Sequence, residues 1–280
     1  MDDKLQIQPG TAQETLIIPL YARKKCGDKF PELYKDPAAA KICDRLDYDF
    51  SELDKKYDTA LYEFGALEGA MRQLDMMYEI NDYLRNHPNA SIVCLGCGLD
   101  LDPRRCGNQQ NRIFNVDFPD VIAMREELAG TDPRETNIVS DLTNLSWMNQ
   151  VDAHNGAVFY AAGVFHYLKK EDVKAIVLKM TELFPGCRLV FDTVGTLGYK
   201  LMMKAILKKH GMNDFGNLFY TNNAVKDLSS WSDKISVSSK GYMLGYYDMK
   251  LPSIKGIHRL LANIGDNIMH MQIVKIELLY

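Results

Sequence analysis

The chain has 280 residues, 46% of them hydrophobic, and a formal net charge of -4 at pH 7. This length and apolar content allow a large buried core, while the slight negative charge argues against a polyanionic partner such as a nucleic acid. The first residues have no basic and apolar leader, and no apolar run approaches the ~20 residues that span a bilayer. We therefore expect a cytoplasmic protein that does not bind membranes. The sequence indicates no oligomeric state.

Residues 1–85 are predicted to be mostly helical, with Pro31, Pro37 and the segment 47–51 dividing them into short pieces. From about residue 90 the chain alternates between apolar runs and amphipathic segments, which is typical of a parallel sheet covered by helices. We predict a helical cap over residues 1–85 and an α/β domain over residues 86–280.

The stretch 91–120 carries the clearest local signal. Residues 92–95 form an apolar run that suits a buried strand, and Gly96 and Gly98 follow where the backbone must turn. A second apolar run ends at Asp117, whose carboxylate can accept hydrogen bonds from two ribose hydroxyls. Leu101 stands where the dinucleotide fingerprint has its third glycine or alanine. The stretch therefore predicts a nucleotide pocket and favours an adenosyl ligand without a pyrophosphate.

The alternation continues to the end of the chain, with a helix predicted at 171–184. Further strands are predicted at 136–139, 156–164, 188–192 and 271–279. The segment 193–220 carries Lys200, Lys204 and Lys208 on one face beside apolar side chains. An amphipathic helix that covers the domain is the first interpretation, and a basic helix on a membrane surface is the alternative.

The six cysteines lack the spacing of a disulfide scaffold, which suits a reduced cytosol. Cys94 and Cys97 form one C-x-x-C, but Cys94 belongs to the first apolar strand and no second C-x-x-C completes a tetrahedral zinc site. We expect buried thiols and no metal. Metal or redox chemistry at this pair is the alternative.

Several segments, taken in order, resemble the leucine carboxyl methyltransferase family, which includes polyketide O-methyltransferases of the tetracenomycin type. They include TLIIPLYARKK, YKDPAAAKICDRLDYDFS, LGCGLD, VDFPDV, SDLTNLSW, AGVFHYL and LFPGCRLVFD. The resemblance implies a Rossmann-like, seven-stranded, mostly parallel sheet with helices on both faces and a terminal antiparallel pair. It also implies extra covering helices, from residues 1–85 and about 193–250, and S-adenosylmethionine as the cofactor.

The resemblance assigns the first cofactor contacts by position. Arg72, on the helix before the glycine loop, would pair with the methionine carboxylate through its planar guanidinium. The alternative for Arg72 is an i,i+3 ion pair with Asp75 on an exposed helix. Gly96 and Gly98 would let the backbone approach the cofactor, and Asp117 would hold the ribose.

Two further pairs complete the predicted site. Asp141 and Leu142 follow the third predicted strand, where relatives hold the adenine, although Asp141 could simply be an N-cap. His166 follows the apolar strand 156–164 and could be a general base on a hydroxyl acceptor, with a packed structural ring as the alternative. Tyr167 is predicted beside it as a substrate-binding residue.

The N-terminal basic stretch and one substitution also bear on the site. Arg23 and Lys24 lie in the segment that resembles the family's stretch closing over the cofactor carboxylate or the acceptor, so Arg23 is predicted to bind substrate; an exposed basic run is the alternative. Ala162 stands where relatives commonly carry an acid before Gly163 and Val164. If that acid anchors the cofactor or shapes the acceptor site, its loss lowers affinity or activity.

We predict an S-adenosylmethionine-dependent O-methyltransferase acting on a small hydroxylated or carboxylated metabolite. One alternative is a carboxyl methyltransferase acting on a protein C-terminus, because a carboxylate nucleophile needs no general base. A second is a catalytically weak S-adenosylmethionine-binding protein, suggested by Ala162. A nicotinamide-dependent oxidoreductase is disfavoured by Leu101.

Overall fold

The structure is a computed structural model that describes residues 4–7, 12–210 and 218–280. Its N-terminal region consists, in chain order, of β1 (Leu5–Gln6), α1 (Ala12–Lys29), α2 (Pro37–Asp44), β2 (Leu46–Asp47), α3 (Ser51–Tyr57) and α4 (Ala60–Asn86). Strand β1 pairs with β2 in parallel. This region is thus largely helical where it is described.

The central sheet consists of β3 (Ser91–Leu95), β4 (Ile113–Asp117), β5 (Glu135–Val139), β6 (Ala157–Ala161), β7 (Arg188–Thr193), β8 (Ile235–Gly241) and β9 (Gln272–Leu278). These seven strands lie in the order β5-β4-β3-β6-β7-β9-β8. The pairs among β3 to β7 are parallel, and β9 is antiparallel to both β7 and β8. The predicted mostly parallel sheet with an antiparallel end is confirmed. This topology gathers the carboxyl ends of β3, β4, β6 and β7 at one edge.

The later helices are α5 (Pro119–Ala129), α6 (Lys170–Leu183), α7 (Thr196–His210), α8 (Ala224–Leu228) and α9 (Gly256–Asn267). Because side chains alternate along a strand, the sheet buries one set of residues on each face. Ile92 and Val158 belong to a core shared with α1, α4 and α9. Val93 and Phe159 belong to a second core shared with α6 and α8. The sheet therefore lies between two helical layers.

Helix α4 joins the N-terminal region to the sheet. It is 27 residues long, and it buries Leu67, Met71 and Ile80 in the core that also contains the strand residue Val158. Since the N-terminal helices and the sheet share this core, the division of the chain at residue 85 stays a prediction. This packing fixes the position of Arg72, on α4, relative to the sheet.

The segment predicted to cover the domain, about 193–250, stays a prediction in that role. Helix α7 occupies its first part, and residues 211–217 lie outside the described residues. Residues 235–241 form β8, the edge strand of the sheet, which the sequence analysis did not predict. Along ISVSSKG, exposed residues alternate with buried or partly buried ones, because one face of this strand is exposed. The resulting polar sequence has no continuous apolar run, so the strand was not predicted. Within the described ranges, no helix combines the length and apolarity that crossing a bilayer requires.

All six cysteines are buried free thiols, as expected. Cys94 lies in β3 and Cys97 in the loop that follows it. Burial raises the pKa of both thiols, which keeps them protonated and therefore poor nucleophiles.

Candidate active site

The loop after β3 forms the floor of the candidate site. Gly96 and Gly98 both have positive φ, 66° and 46°, which glycine adopts without strain. A Cβ atom on Gly96 would lie 2.6 Å from Cγ2 of Val164, in the loop after β6. The glycines are therefore required both by the turn itself and by the close approach of a neighbouring loop.

Two buried arginines hold the carbonyl groups of this glycine loop. Nη1 of Arg125 donates to the carbonyl oxygens of Gly98, at 3.2 Å, and Asp100, at 2.6 Å. Nη2 of Arg23 donates to the carbonyl oxygen of Leu99 at 3.0 Å. Since three successive carbonyl groups accept these hydrogen bonds, the two arginines support the conformation of the loop.

Arg23 supports the glycine loop. Its side chain is buried, and its Nε also donates to Asp36 at 3.0 Å. The alternative of an exposed basic run is therefore wrong for Arg23. Its predicted contact with the acceptor stays a prediction. Leu99 lies far from Arg23 in the sequence and contributes only a main-chain oxygen, so no sequence signal pointed to this contact.

Asp117, at the carboxyl end of β4, accepts two main-chain hydrogen bonds. Its Oδ2 accepts from the N–H of Gly98 and its Oδ1 from the N–H of Phe118, both at 2.8 Å. Burial raises the pKa of Asp117, and these two N–H groups oppose that rise. Since a carboxylate has about four acceptor sites, each oxygen keeps capacity for one more donor. The predicted ribose contact is compatible with this geometry and stays a prediction.

Asp141 and Leu142 follow β5, as predicted. Asp141 is exposed and accepts from the N–H of Thr143 at 2.8 Å and from its hydroxyl at 2.9 Å, so it caps a turn. This turn cap resembles the predicted alternative, in which Asp141 is an N-cap. The same carboxylate can cap the turn and contact the adenine. The side chain of Leu142 is buried in the core, and its carbonyl oxygen accepts from Nε1 of Trp147 at 3.1 Å. Their contact with adenine stays a prediction.

Arg72 lies on α4, where its guanidinium meets Asp192 of β7 and Gly163 of the loop after β6. Its Nη1 is 3.6 Å from Oδ2 of Asp192, and its side chain is 20% exposed. Its Nε is buried and, among the residues that the structure describes, has no hydrogen-bond partner. The alternative pairing with Asp75 is wrong, because both carboxylate oxygens of Asp75 are buried without a hydrogen-bond partner in the same part of the chain. The N–H at Nε of Arg72 is therefore available as a donor to a ligand.

Asp192 is a site residue that the sequence analysis missed. It lies near the end of β7, it is buried, and its Oδ1 accepts from the N–H of Gly163 at 2.5 Å. The available signal was an acid closing an apolar strand, the same signal that pointed to Asp117. Because β7 lies beside β6 in the sheet, its carboxyl end meets the loop that carries Gly163.

His166 and Tyr167 lie in the short 3-10 helix Phe165–Tyr167 after β6. Their ring centroids are 4.4 Å apart, and Tyr167 is 54% exposed. Burial lowers the pKa of His166 to about 4, with Arg72 acting in the same direction and Asp192 opposing it. The imidazole is therefore neutral near pH 7, so it can accept a proton but is a weak base. The role of His166 as a general base stays a prediction, with a packed structural ring as the alternative.

Two more polar residues lie near Arg72. Glu68 lies one turn before Arg72 on α4, and burial raises its pKa while Arg72 opposes that rise. Tyr242 follows β8 and is buried, and burial raises its pKa while Arg72 opposes that rise, so the phenol is uncharged near pH 7. Neither residue stood in a recognisable motif, because an acid on a helix and a tyrosine after an edge strand are common.

Comparisons with known proteins agree with this arrangement. The leucine carboxyl methyltransferase family profile matches residues 21–181. The tetracenomycin polyketide synthesis O-methyltransferase TcmP of Streptomyces glaucescens is 28% identical over 182 residues, which are 65% of this chain and 65% of that relative. The chain thus covers just under two thirds of TcmP. The S-adenosyl-L-methionine-dependent methyltransferase dpfgK of Gibberella zeae is 24% identical over 71% of this chain and 72% of its own length.

A similar fold occurs in a Thermobifida fusca YX protein that is provisionally described as a methyltransferase. The two superpose with a TM-score of 0.60 at 13% identity, over 98% of this chain and 100% of the other. The order of motifs, the sheet topology and the glycine loop all point the same way, and the predicted family and cofactor are confirmed. The chain belongs to the leucine carboxyl methyltransferase family, whose members are S-adenosylmethionine-dependent methyltransferases.

Proposed function

We propose that the protein transfers the methyl group of S-adenosylmethionine to an oxygen atom of a small hydroxylated or carboxylated metabolite. The observation that carries this proposal is the buried Nε of Arg72, which has no hydrogen-bond partner among the described residues, together with the acceptor capacity that Asp117 keeps beyond its two main-chain hydrogen bonds. The two residues offer a donor for a carboxylate and acceptors for hydroxyl groups. The amino-acid end and the ribose of S-adenosylmethionine carry these groups, so the residues fit the cofactor.

The residues that would hold the cofactor lie along the carboxyl edge of the sheet. Arg72 would pair with the methionine carboxylate, and Asp117 would accept hydrogen bonds from the ribose hydroxyls. Gly96 and Gly98 would allow close approach of the backbone, and the turn at Asp141 and Leu142 would border the adenine. When bound, S-adenosylmethionine supplies an electrophilic methyl group on a sulfonium. The task of the protein is then to hold the acceptor oxygen in line and to exclude water.

The state of His166 bears on the kind of acceptor. A neutral imidazole with a pKa of about 4 is a poor match for removing a proton from an alcohol. An acceptor that arrives ionised, such as a carboxylate or an acidic phenol, needs no strong base. His166 would then hydrogen-bond to or pack on the acceptor rather than deprotonate it. This favours ionised acceptors within the proposed class.

The names of the relatives support an oxygen acceptor of small size. TcmP is described as an O-methyltransferase of polyketide synthesis, so at least one relative acts on a small molecule. A protein C-terminus would also present a carboxylate, and it would need a cleft that stays open to a chain. It is therefore tested as a competing acceptor.

The proposal is tested by methyl transfer from tritiated S-adenosylmethionine to defined acceptor panels. Purified protein is incubated with phenols, with carboxylic acids or with a protein extract, and the label is counted in the small-molecule and precipitated fractions. Mild alkali releases methyl esters but not aryl methyl ethers, so it separates the two acceptor types. Label in small molecules is expected. Label in precipitated protein would support the C-terminal alternative, and cofactor binding without label in any fraction would support a binding protein.

A further inference from the structure

We propose that Asp192 is a positioning residue that forms, with Gly163, a slot for the guanidinium of Arg72 and thereby decides which edge of that guanidinium faces the cofactor. The inference rests on the proposed contact between Arg72 and the methionine carboxylate. It assigns to β7 a part in cofactor binding that acts through another side chain.

The slot is built from three separate elements. Asp192, near the end of β7, accepts from the N–H of Gly163 at 2.5 Å, and its other oxygen lies 3.6 Å from Nη1 of Arg72 on α4. A Cβ atom on Gly163 would lie 2.6 Å from Nη1 and 3.0 Å from Cζ of Arg72. The guanidinium therefore rests against the α-carbon of Gly163, and a residue with any side chain would displace it.

The orientation of the guanidinium follows from this slot. A guanidinium donates from an edge formed by its two terminal nitrogens or from an edge formed by Nε and one terminal nitrogen. Asp192 engages Nη1, which directs the Nε edge elsewhere. Nε is buried and has no partner in the described part of the chain. A carboxylate at this edge can accept two parallel hydrogen bonds, the strongest arrangement available to it.

Asp192 also limits the freedom of Arg72. An arginine side chain loses conformational entropy when it is ordered, so a ligand that must order it binds more weakly. The ion pair and the contact with Gly163 order Arg72 in advance. Replacing Asp192 by Asn keeps an oxygen for the N–H of Gly163 but removes the charge that attracts Arg72. The substitution thus tests the ion pair separately from the loop.

The experiment compares two ligands by calorimetry on the full-length protein. S-adenosylhomocysteine has the carboxylate, whereas 5′-methylthioadenosine has the adenosine and sulfur but no amino-acid end. In Asp192→Asn, we expect affinity for S-adenosylhomocysteine to fall roughly tenfold, while affinity for 5′-methylthioadenosine stays within about twofold. A purely structural role would weaken both ligands alike. Unchanged or higher affinity for S-adenosylhomocysteine, or equal losses for both ligands, would overturn the inference.

The matched control is Asp82→Asn. Asp82 pairs with Arg188 at 2.8 Å, at the end of β7 opposite to Asp192. This substitution also removes an aspartate–arginine pair that involves β7. Both ligand affinities should stay within about twofold of wild type.

A double-mutant cycle shows whether Asp192 acts through Arg72. In the Arg72→Lys background, Asp192→Asn should add less than about twofold to the loss of S-adenosylhomocysteine affinity, whereas fully additive losses would contradict the inference. If Arg72→Lys alone leaves the preference for S-adenosylhomocysteine unchanged, the assignment of Arg72 itself fails, and the inference with it. If Asp192→Asn does not fold, Gly163→Ala probes the slot from its other side. The same selective loss is expected there, and unchanged affinity would refute the slot.

Discussion

The N–H of Gly98 donates to the carboxylate of Asp117 at 2.8 Å, which joins the glycine loop to the end of the neighbouring strand β4. The loop is at the same time held by Arg23 and Arg125 through its carbonyl groups. The position of the Asp117 carboxylate is therefore set by the loop as well as by its own strand. A ligand that bridges the two meets a site that is already formed.

Asp117→Ala should weaken binding of S-adenosylhomocysteine by about 1.5–3 kcal/mol, the usual loss when hydrogen bonds to a charged group are removed. Asp117→Asn should lose less, because the amide oxygen can still accept one hydrogen bond. Calorimetry measures both affinities, and the melting temperature monitors the fold. An unchanged affinity in the alanine variant would place Asp117 outside the site.

Gly96→Ala should destabilise the protein by more than the roughly 1–2 kcal/mol that a left-handed backbone costs an alanine. The excess is expected because the new Cβ would lie 2.6 Å from Cγ2 of Val164. Adding Val164→Ala should recover the excess but not the backbone cost. Denaturant unfolding of the two single variants and the double variant tests this, and equal stabilities of Gly96→Ala with and without Val164→Ala would show that the contact is harmless.

His166→Gln should reduce turnover less than about tenfold on an ionised acceptor, since such an acceptor needs no proton removed. On an unactivated alcohol the same change should cost roughly 10²–10⁴ if His166 is the base. Because its pKa lies at about 4, wild-type turnover should show no His166 titration between pH 6 and 8. Steady-state rates across this range provide the measurement. A collapse on an ionised acceptor with intact cofactor binding would identify His166 as catalytic.

Asp75→Asn should change how stability depends on pH. Asp75 is fully buried, and burial, with Asp266 and Glu79, raises its pKa to about 9. Between an unfolded pKa of about 3.9 and that value, the folded protein holds a proton that the unfolded chain releases. The free energy of unfolding therefore falls as pH rises, by up to about 1.4 kcal/mol per pH unit. The Asn variant should lose this slope and be more stable at neutral pH.

Asp82→Asn is the control of opposite sign. The hydrogen bond from Arg188 lowers the pKa of Asp82, so its contribution to stability is present at neutral pH and is lost in acid. Denaturant unfolding from pH 5 to 8 measures the Asp75 slope in the two variants and the wild type, and over this range Asp82→Asn should keep the wild-type slope. Below about pH 4 the advantage of the wild type over Asp82→Asn should disappear, because Asp82 becomes protonated there. An Asp75→Asn slope equal to that of the wild type would show that Asp75 is ionised in the fold.

The glycine loop and Asp117 were predictable because their information is local. An apolar run, a glycine turn and a second apolar run closed by an acid follow one another within residues 91–120, and parallel pairing brings the ends of such strands to one edge. The mostly parallel sheet followed from the same alternation along the whole chain. Edge strand β8 was not predicted, because exposure of one face leaves a polar, alternating sequence without a strong strand signal.

The partners of the arginines were decided only by the tertiary structure. Arg23 meets a carbonyl oxygen of the glycine loop, and Arg72 meets Asp192, because α1 and α4 pack on the sheet at particular rotations. Each contact joins segments far apart in the chain and depends on which face a helix presents to its neighbour. The sequence by itself therefore determined the family, the fold class and the local glycine loop. Packing decided which charged groups meet one another at the carboxyl edge of the sheet, because side-chain contacts between distant elements leave no local pattern.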